Sequence, residues 1–483
     1  MRNKLFIILL VLYALTIDPL IGQKISGMVI DSDDSLALAY VNIYLSTNTA
    51  VGTVSNNNGY FELKIPDDSF SGKLIFSSIG YVSKSIELSN VSLDEEFIIS
   101  LKPKALKLDE MVLLSDDVKP EKILRKAINR IYRNYSKQPY QSTFFYRQTD
   151  FKGSFLSRVI EAEILVEDKG YLGTYEDLKV YLSEMRKTPD LGTTSQYAGL
   201  MRAMSDQMGS PRMAFNFDHV RNASQSVDGF AYKPRLLQND SLFNPFKYFD
   251  IKLEKAVLNN NDEIVYVLHL SHIGEKRAPS KGIGKETDAK ELKKNLNRYS
   301  KLPKELKQTI INREKQQETD SVKRIARVGI LNDAMQIVEN YWLYIDAQDF
   351  GIHKIDSKTY IREYINNEDY TESPFSSTSV VYKKTDKYRL SSLTASIPDL
   401  QKGSASDGNR QFKKYELLSK LPTEKPIESM VIIAPQTNLF HMDLPYNSTF
   451  WEQANKIKSI DFKINYDDSL FGSSDLEKYF IKN

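Results

Sequence analysis

From Lys24 to Lys102 short apolar runs alternate with turn residues: ISGMVI, YVNIYL, AVGTVS, YFELKI, KLIFSS, YVSKSIEL and EFIISL. Apolar residues at every second position give a segment one covered side, and seven runs at this spacing predict a compact antiparallel β-sandwich. Asn56, Asn57, Asn58 and Gly59 supply residues that tolerate positive φ for a chain reversal, and Gly80 before Tyr81 marks a second tight approach. The period then changes. Pro120 opens a helix over residues 121–135, where Ile123, Leu124, Ala127, Ile128 and Ile131 recur at helical spacing. Lys122, Arg125, Lys126, Arg130 and Arg133 share its other face, which could meet an anionic surface or, more simply, face solvent.

Strand-like alternation resumes after Ser142 in TFFYRQTD, RVIEAEILVED, YFDIKLEKAVL, EIVYVLHLS, RIARVGILN, IVENYWLYID, GIHKIDSKTYIREY, STSVVYKK, YRLSSLTAS and QFKKYELLS. Short connections predict a curved antiparallel sheet with one covered face. The expected fold class is therefore mainly β, a sandwich followed by a larger antiparallel α+β domain with helical insertions. Residues 195–213 interrupt the sheet and place Tyr197, Met201, Met204 and Met208 on one helical face. Methionines adapt to varied apolar ligands, so this candidate ligand groove could roof a lipidic site, or the same residues could fill a core. A second interruption, residues 274–325, carries 15 Lys+Arg against 8 Asp+Glu and reads as a helical insertion facing solvent, anionic head groups or an acidic partner.

Arg2 and Lys4 precede an apolar run from Leu5 to Ile17 that Asp18, Pro19 and Gly22 break, the layout of a signal peptide cleaved after Gly22. The run is shorter than the roughly 18 apolar residues that span a bilayer. The boundaries that follow are a signal peptide over 1–22, a sandwich over 23–103 and a linker over 104–118. The large domain then runs over 119–420, and a C-terminal segment over 421–483 packs on it. Removing Arg2, Lys4 and Asp18 leaves 63 basic and 62 acidic residues, so no global field favours a nucleic acid. Cysteine is absent, which excludes disulfides, thiolate catalysis, cysteine-ligated metal and an acylated cysteine anchor.

Gly27 and Val29, Ala39-Tyr40-Val41-Asn42-Ile43, Thr53 with Asn58-Gly59-Tyr60-Phe61, and Ser78-Ile79-Gly80-Tyr81 together resemble the carboxypeptidase regulatory-like domain. The resemblance implies a transthyretin-like, non-catalytic sandwich of the kind that precedes many exported proteins of Bacteroidetes-type bacteria, including TonB-dependent receptors. Leu108-Asp109-Glu110-Met111-Val112-Leu113 resembles the segment that follows the domain in those receptors, and an ordinary linker reads equally well. Residues 342–352, WLYIDAQDFGI, resemble a strand, turn and strand of the half-barrel of periplasmic lipoprotein carriers. Residues 444–457 resemble a closing segment of exported cell-envelope relatives. Four Asp-Ser-(Leu/Val) triplets, at Asp34, Asp240, Asp320 and Asp468, resemble an O-glycosylation motif of such bacteria.

The domain's name raises a zinc carboxypeptidase reading. His272 and Glu275 have the His-x-x-Glu spacing, with His353 or His441 as the remaining histidine ligand, but the surrounding antiparallel pattern does not suit that α/β fold. Gly282-Ile283-Gly284-Lys285 is not a phosphate loop, because Pro279 and Glu286 occupy its first glycine and its magnesium-binding hydroxyl positions. No catalytic residue, cofactor or metal is assigned. The expected function is a non-enzymatic cell-envelope protein, exported to the periplasm or the periplasmic face of the outer membrane, binding an envelope or outer-membrane protein or a lipid-like ligand. A periplasmic carrier of an apolar ligand, an accessory to a TonB-dependent receptor and, remotely, the zinc hydrolase are the alternatives.

Overall fold

In the computed structural model the described residues are 23–49, 51–65, 71–91, 96–106, 119–152, 155–171, 177–189, 210–218, 220, 246, 249–259, 261–272, 335–364, 370–398, 411–420, 425–434, 437–458, 463–464 and 476–482. The signal peptide, Tyr197, Met201, Met204, Met208, Glu275, the 274–325 insertion and the RIARVGILN segment lie outside them.

The seven expected strands of the front domain are β1 (Gln23–Asp31), β2 (Asn42–Leu45), β3 (Gly52–Val54), β4 (Tyr60–Ile65), β5 (Lys73–Ser77), β6 (Lys84–Glu87) and β7 (Phe97–Leu101). They form two facing sheets, β4-β1-β7 and β3-β2-β5-β6. Alternate residues such as Ile25 and Val29 in β1 and Phe61, Leu63 and Ile65 in β4 point inward and are fully buried. Phe61, Phe76 and Phe97 meet edge to face, with centroids 5.4 to 6.5 Å apart, across the space between the sheets. The antiparallel expectation needs one correction: β7 runs parallel to β1, from Gly27 opposite Phe97 to Asp31 opposite Leu101. The chain leaves β6 in one sheet and crosses to the edge of the other, so β7 arrives in the direction of β1. At the Asn56–Gly59 turn, Gly59 has φ +77°, and an added Cβ would lie 2.5 Å from the Val29 carbonyl oxygen.

The remainder is one large sheet. Its elements are β8 (Ala105–Leu106), α1 (Pro120–Asn134), β9 (Tyr140–Lys152), β10 (Phe155–Asp168), β11 (Lys179–Lys187), β12 (Phe249–Leu258), β13 (Ile264–His272), β14 (Met335–Asp346), β15 (Ile352–Tyr364), β16 (Tyr370–Lys384), β17 (Tyr388–Pro398), β18 (Gln411–Lys420), β19 (Val431–Ile433), α2 (Ser448–Gln453) and β20 (Lys463–Ile464). The strand order is β19-β11-β10-β9-β18-β17-β16-β15-β14-β13-β12-β8, antiparallel throughout, with β20 added in parallel to β10. The meander β12 to β18 is thus extended by β9, β10 and β11, which come earlier in the chain. Residues 342–352 form the expected strand, turn and strand, and β8 draws residues 105–106 of the expected linker into the sheet.

One face of this sheet, called inner here, carries alternate apolar residues such as Phe144, Tyr146, Ile160, Ile164, Leu268, Leu343, Leu393 and Leu417. Helix α1 lays Ile123, Leu124, Ala127 and Ile131 on that face, and the 3-10 segment Pro211–Phe217 adds Ala214, Phe215 and Phe217. Pro120 at the first turn and Glu121 beside the N-terminus suit the start of the helix, and Arg133 suits its last turn. On the outer face Phe145 and Leu418 pack with Trp451, Ala454 and Ile457 of the C-terminal segment and with Val54 of the sandwich.

Two joints hold the modules together. At one, the Gly80 amide donates to the Leu258 carbonyl (3.2 Å), Lys104 N–H donates to the Gly80 carbonyl (2.7 Å), and Gly80, at φ +85°, lies against Val257. At the other, Asn455 exchanges two hydrogen bonds with the Lys64 backbone (2.7 and 3.0 Å), and Thr53 Oγ1 donates to the Lys456 carbonyl (3.1 Å).

Leu124 is fully buried beneath α1. Leu124→Ala should therefore lower unfolding free energy by about 2–5 kcal/mol, read as a lower midpoint in a denaturant titration.

Candidate functional site

The inner face ends in a tyrosine-lined cleft where α1, β16, β17 and the 210–220 segment meet. Tyr135, just past α1, donates its hydroxyl to the Ile352 carbonyl (2.9 Å) and accepts the Ile352 N–H (3.2 Å). Tyr382 donates to Asp218 (2.5 Å) and accepts from Val220 N–H (3.2 Å), while Tyr388 donates to Asp349 (3.2 Å). The Tyr135 ring stands 5.5 Å from each of the other two. Tyr140, Tyr171 and Arg389 complete the lining, with the Arg389 guanidinium 5.0 Å over the Tyr140 ring. Burial pushes the Tyr135, Tyr382 and Tyr388 hydroxyls well above the usual phenol range, and neighbouring carboxylates add to the rise. These phenols stay protonated, so the cleft offers ring surface, fixed dipoles and one guanidinium rather than a phenolate base.

Nearby, the Asp346 carboxylate turns the chain between β14 and β15 by accepting Gln348 and Asp349 amides (2.8 and 2.9 Å), with His353 Nε2 at 3.3 Å. Burial alone would raise the Asp346 pKa, but His353 and the two amides hold it below the usual carboxylate range.

The outer face carries a buried cluster of charges. Glu161 of β10 is fully buried and lies between Arg147 of β9 and Arg186 of β11. Arg147 Nε donates to Glu161 Oε1 (2.7 Å), and Arg186 donates to Oε2 through Nε (2.8 Å) and Nη2 (2.6 Å). Arg147 reaches on to Glu416 of β18 (3.4 Å) and to the Ile457 carbonyl (2.5 Å), and Lys414 Nζ donates to Glu416 (2.8 Å). Arg186 makes two bonds to Glu477 (2.5 and 2.9 Å), which Lys456 also pairs, and its guanidinium stacks on Phe480 (3.9 Å) and Trp451 (4.4 Å). Burial would raise the Glu161 pKa, but Arg186 and Arg147 outweigh it and hold the carboxyl far below its ordinary range. Sequence reading missed this cluster. Its signal was a charge on β9, β10 and β18 at the strand parity opposite the core-facing residues; on β11 a register shift puts Arg186 at the same parity as the core residues Val180 and Leu182 and hides it.

The four described histidines do not converge. His269 stacks on Trp342 (centroids 4.8 Å) and lies 3.3 Å from Asn340 Oδ1 on the outer face, whereas His272 packs against Phe249 (5.5 Å) on the inner face, as strand parity requires. His353 is engaged with Asp346, and His441 lies in the turn Leu439–His441. Among the described residues no three His, Asp or Glu side chains form a metal site. The Tyr197, Met201, Met204 and Met208 groove lies outside those residues, as does Glu275. Where it is described, the inner face is filled by side chains of α1, the strands and residues 211–217.

Residues 25–113 match the family model of the CarboxypepD_reg-like domain. The match covers β1 to β8 and runs to Leu113, leaving the rest of the large sheet outside it. No curated protein matches. One solved structure, titled for lipid–protein interactions in lipovitellin, is similar at 8% identity over 60% of this chain and 26% of that one, with a TM-score of 0.14, a likeness too slight to bear on the fold. The chain thus spans about a quarter of that protein.

Glu161→Gln should leave two buried guanidiniums without their carboxylate and cost about 3–5 kcal/mol at neutral pH. Folding lowers the Glu161 pKa, so its stabilisation is complete above the ordinary value of 4.5 and is lost as pH falls toward the folded value. Denaturant titrations at several pH values should therefore show the wild-type advantage over the glutamine variant shrinking below about pH 4.5, with no such change between pH 6 and 8.

Proposed function

We propose that this is a non-enzymatic protein of the cell envelope, exported to the periplasm or the periplasmic face of the outer membrane, whose two β modules act as one interaction scaffold. The observation that carries the reading is the sheet edge at β19. Val431 and Ile432 are 41% and 61% exposed there, and among the described residues β19 pairs on one side only, with β11. An edge strand with free backbone groups and β-branched side chains is a template for an added strand, so the fitting partner is an extended segment of an envelope or outer-membrane protein. Service as an accessory to a TonB-dependent receptor is the specific form that the CarboxypepD_reg-like sandwich supports. The filled inner face favours this scaffold over a carrier of an apolar ligand in a half-barrel groove.

Native protein cross-linked in gently extracted envelopes tests the reading by mass spectrometry. The expected result is a mature N-terminus at Gln23, a cross-link from the β19 edge to an outer-membrane protein, and neither stoichiometric metal nor a lipid enclosed within the sheet. Ile432→Lys should lower the cross-link yield about tenfold, the equivalent of roughly 1.4 kcal/mol, with an unchanged melting transition. A lone soluble species, or one carrying stoichiometric zinc or a lipid enclosed within the sheet, would sink the proposal.

A further inference from the structure

We infer that the solvent face of α1 is a docking surface for an anionic phospholipid membrane. This goes beyond the β19 reading and does not depend on it. Residues 119–137 hold seven Lys or Arg and one acid, Glu121, in a chain whose whole formal charge is +2. The buried stripe Ile123, Leu124, Ala127 and Ile131 fixes the helix about its axis, so the opposite side must carry Lys122, Arg125, Lys126 and Arg133. Arg125, Arg133 and Lys137 are exposed and Lys126 is half-buried.

Among the described residues no carboxylate makes a salt bridge with Arg125, Lys126, Arg130, Arg133 or Lys137. The acids in the adjoining turns have other partners: Asp349 pairs with Lys384 (2.5 Å) and Asp386 with Arg389 (3.3 Å). Lys387, exposed in the β16–β17 turn, donates to the Arg133 carbonyl (2.6 Å) and adds a further cation at the end of the helix.

Aromatic rings brace the cations. Arg125 lies 4.2 Å over Phe246, and Lys126 and Arg130 each lie 4.8 Å from the Phe350 ring centre. Tyr132, 38% exposed, sits between Arg133 (5.4 Å) and Lys137 (5.1 Å), an amphipathic ring of the kind that settles at head-group depth. One helix face with spread charge and an amphipathic ring beside it suits a fluid anionic surface, which needs neither a groove nor a fixed register of bonds. Contact would be peripheral, since no helix among the described residues is long and apolar enough to cross a membrane.

The test is sedimentation of the full-length purified chain with vesicles of phosphatidylcholine alone or with about a third phosphatidylglycerol, at ~0.1 M and ~0.5 M salt. Binding should require the anionic lipid and fall at high salt. Each Lys or Arg at such a surface is worth roughly fivefold, so the variant R125E/K126E/R133E should bind about a hundredfold or more weakly. The control K24E/K73E/K252E makes the same change in net charge on other surfaces and should bind like wild type. If the reversal variant fails to melt cooperatively, R125Q/K126Q/R133Q replaces it, with the same expected direction. Equal binding to neutral vesicles, wild-type binding by the α1 variants, or binding to polyglutamate or DNA without binding to vesicles would each overturn the inference.

Discussion

Glu161 is a carboxylate with no exposure, set in the middle of a sheet face, and much of the molecule's arrangement can be read as the means of keeping it there. An ion in that position is tolerated only when paired and fully hydrogen-bonded. Two guanidiniums supply the pairing, but they bring their own remaining donors, which need acceptors in turn. Glu416, Glu477 and the Ile457 carbonyl provide these, and the last two belong to the C-terminal segment. The outer face of the sheet is therefore completed by the C-terminal segment that covers it.

That cover also determines how the two modules sit. Trp451, which stacks on Arg186, belongs to α2, and Asn455, Lys456 and Lys458, just beyond α2, contact Lys64, Thr53 and Glu96 of the sandwich. One short stretch thus caps the buried ions and clamps the CarboxypepD_reg-like domain. The second joint, where Gly80 meets Leu258 and Lys104, fixes the other side. Two separated joints therefore tie the sandwich to the large sheet.

Most of the architecture was legible because burial follows period. The seven sandwich strands, α1 and the meander from β12 to β18 place apolar residues at every second position, or at helical spacing, on one covered face. β11 was not legible for the opposite reason: Glu184 and Arg186 occupy buried positions, so a covered strand reads as a polar one. The direction of β7 depends on which sheet the chain enters, and two-residue strands such as β8 and β20 contain no period at all. The tyrosine cleft unites residues from positions 135, 218, 382 and 388, and the Glu161 cluster unites four strands and the C-terminal segment. Neither has a local spacing, because the partners lie far apart in the chain and meet only through the tertiary fold. What could be seen was parity: an ionic residue on a strand whose opposite face is core must face either water or another ion.

The same distinction resolves the chain's near-neutral charge. Arg147, Arg186 and Lys414 lie on the outer face of the sheet beneath the C-terminal cover, where each is matched by a carboxylate and contributes little to the field outside. Arg158, matched by Asp150 at 2.8 Å, is buried likewise. On α1 the order is reversed. The apolar side is used for the core, and Arg125, Lys126 and Arg133 are left without carboxylate partners among the described residues, so their field reaches solvent over about one Debye length, ~8–10 Å at ordinary ionic strength. A global sum counts both sets alike. A partner meets the second kind and not the first, so the molecule's electrostatic character is set by where its cations are satisfied rather than by how many it has.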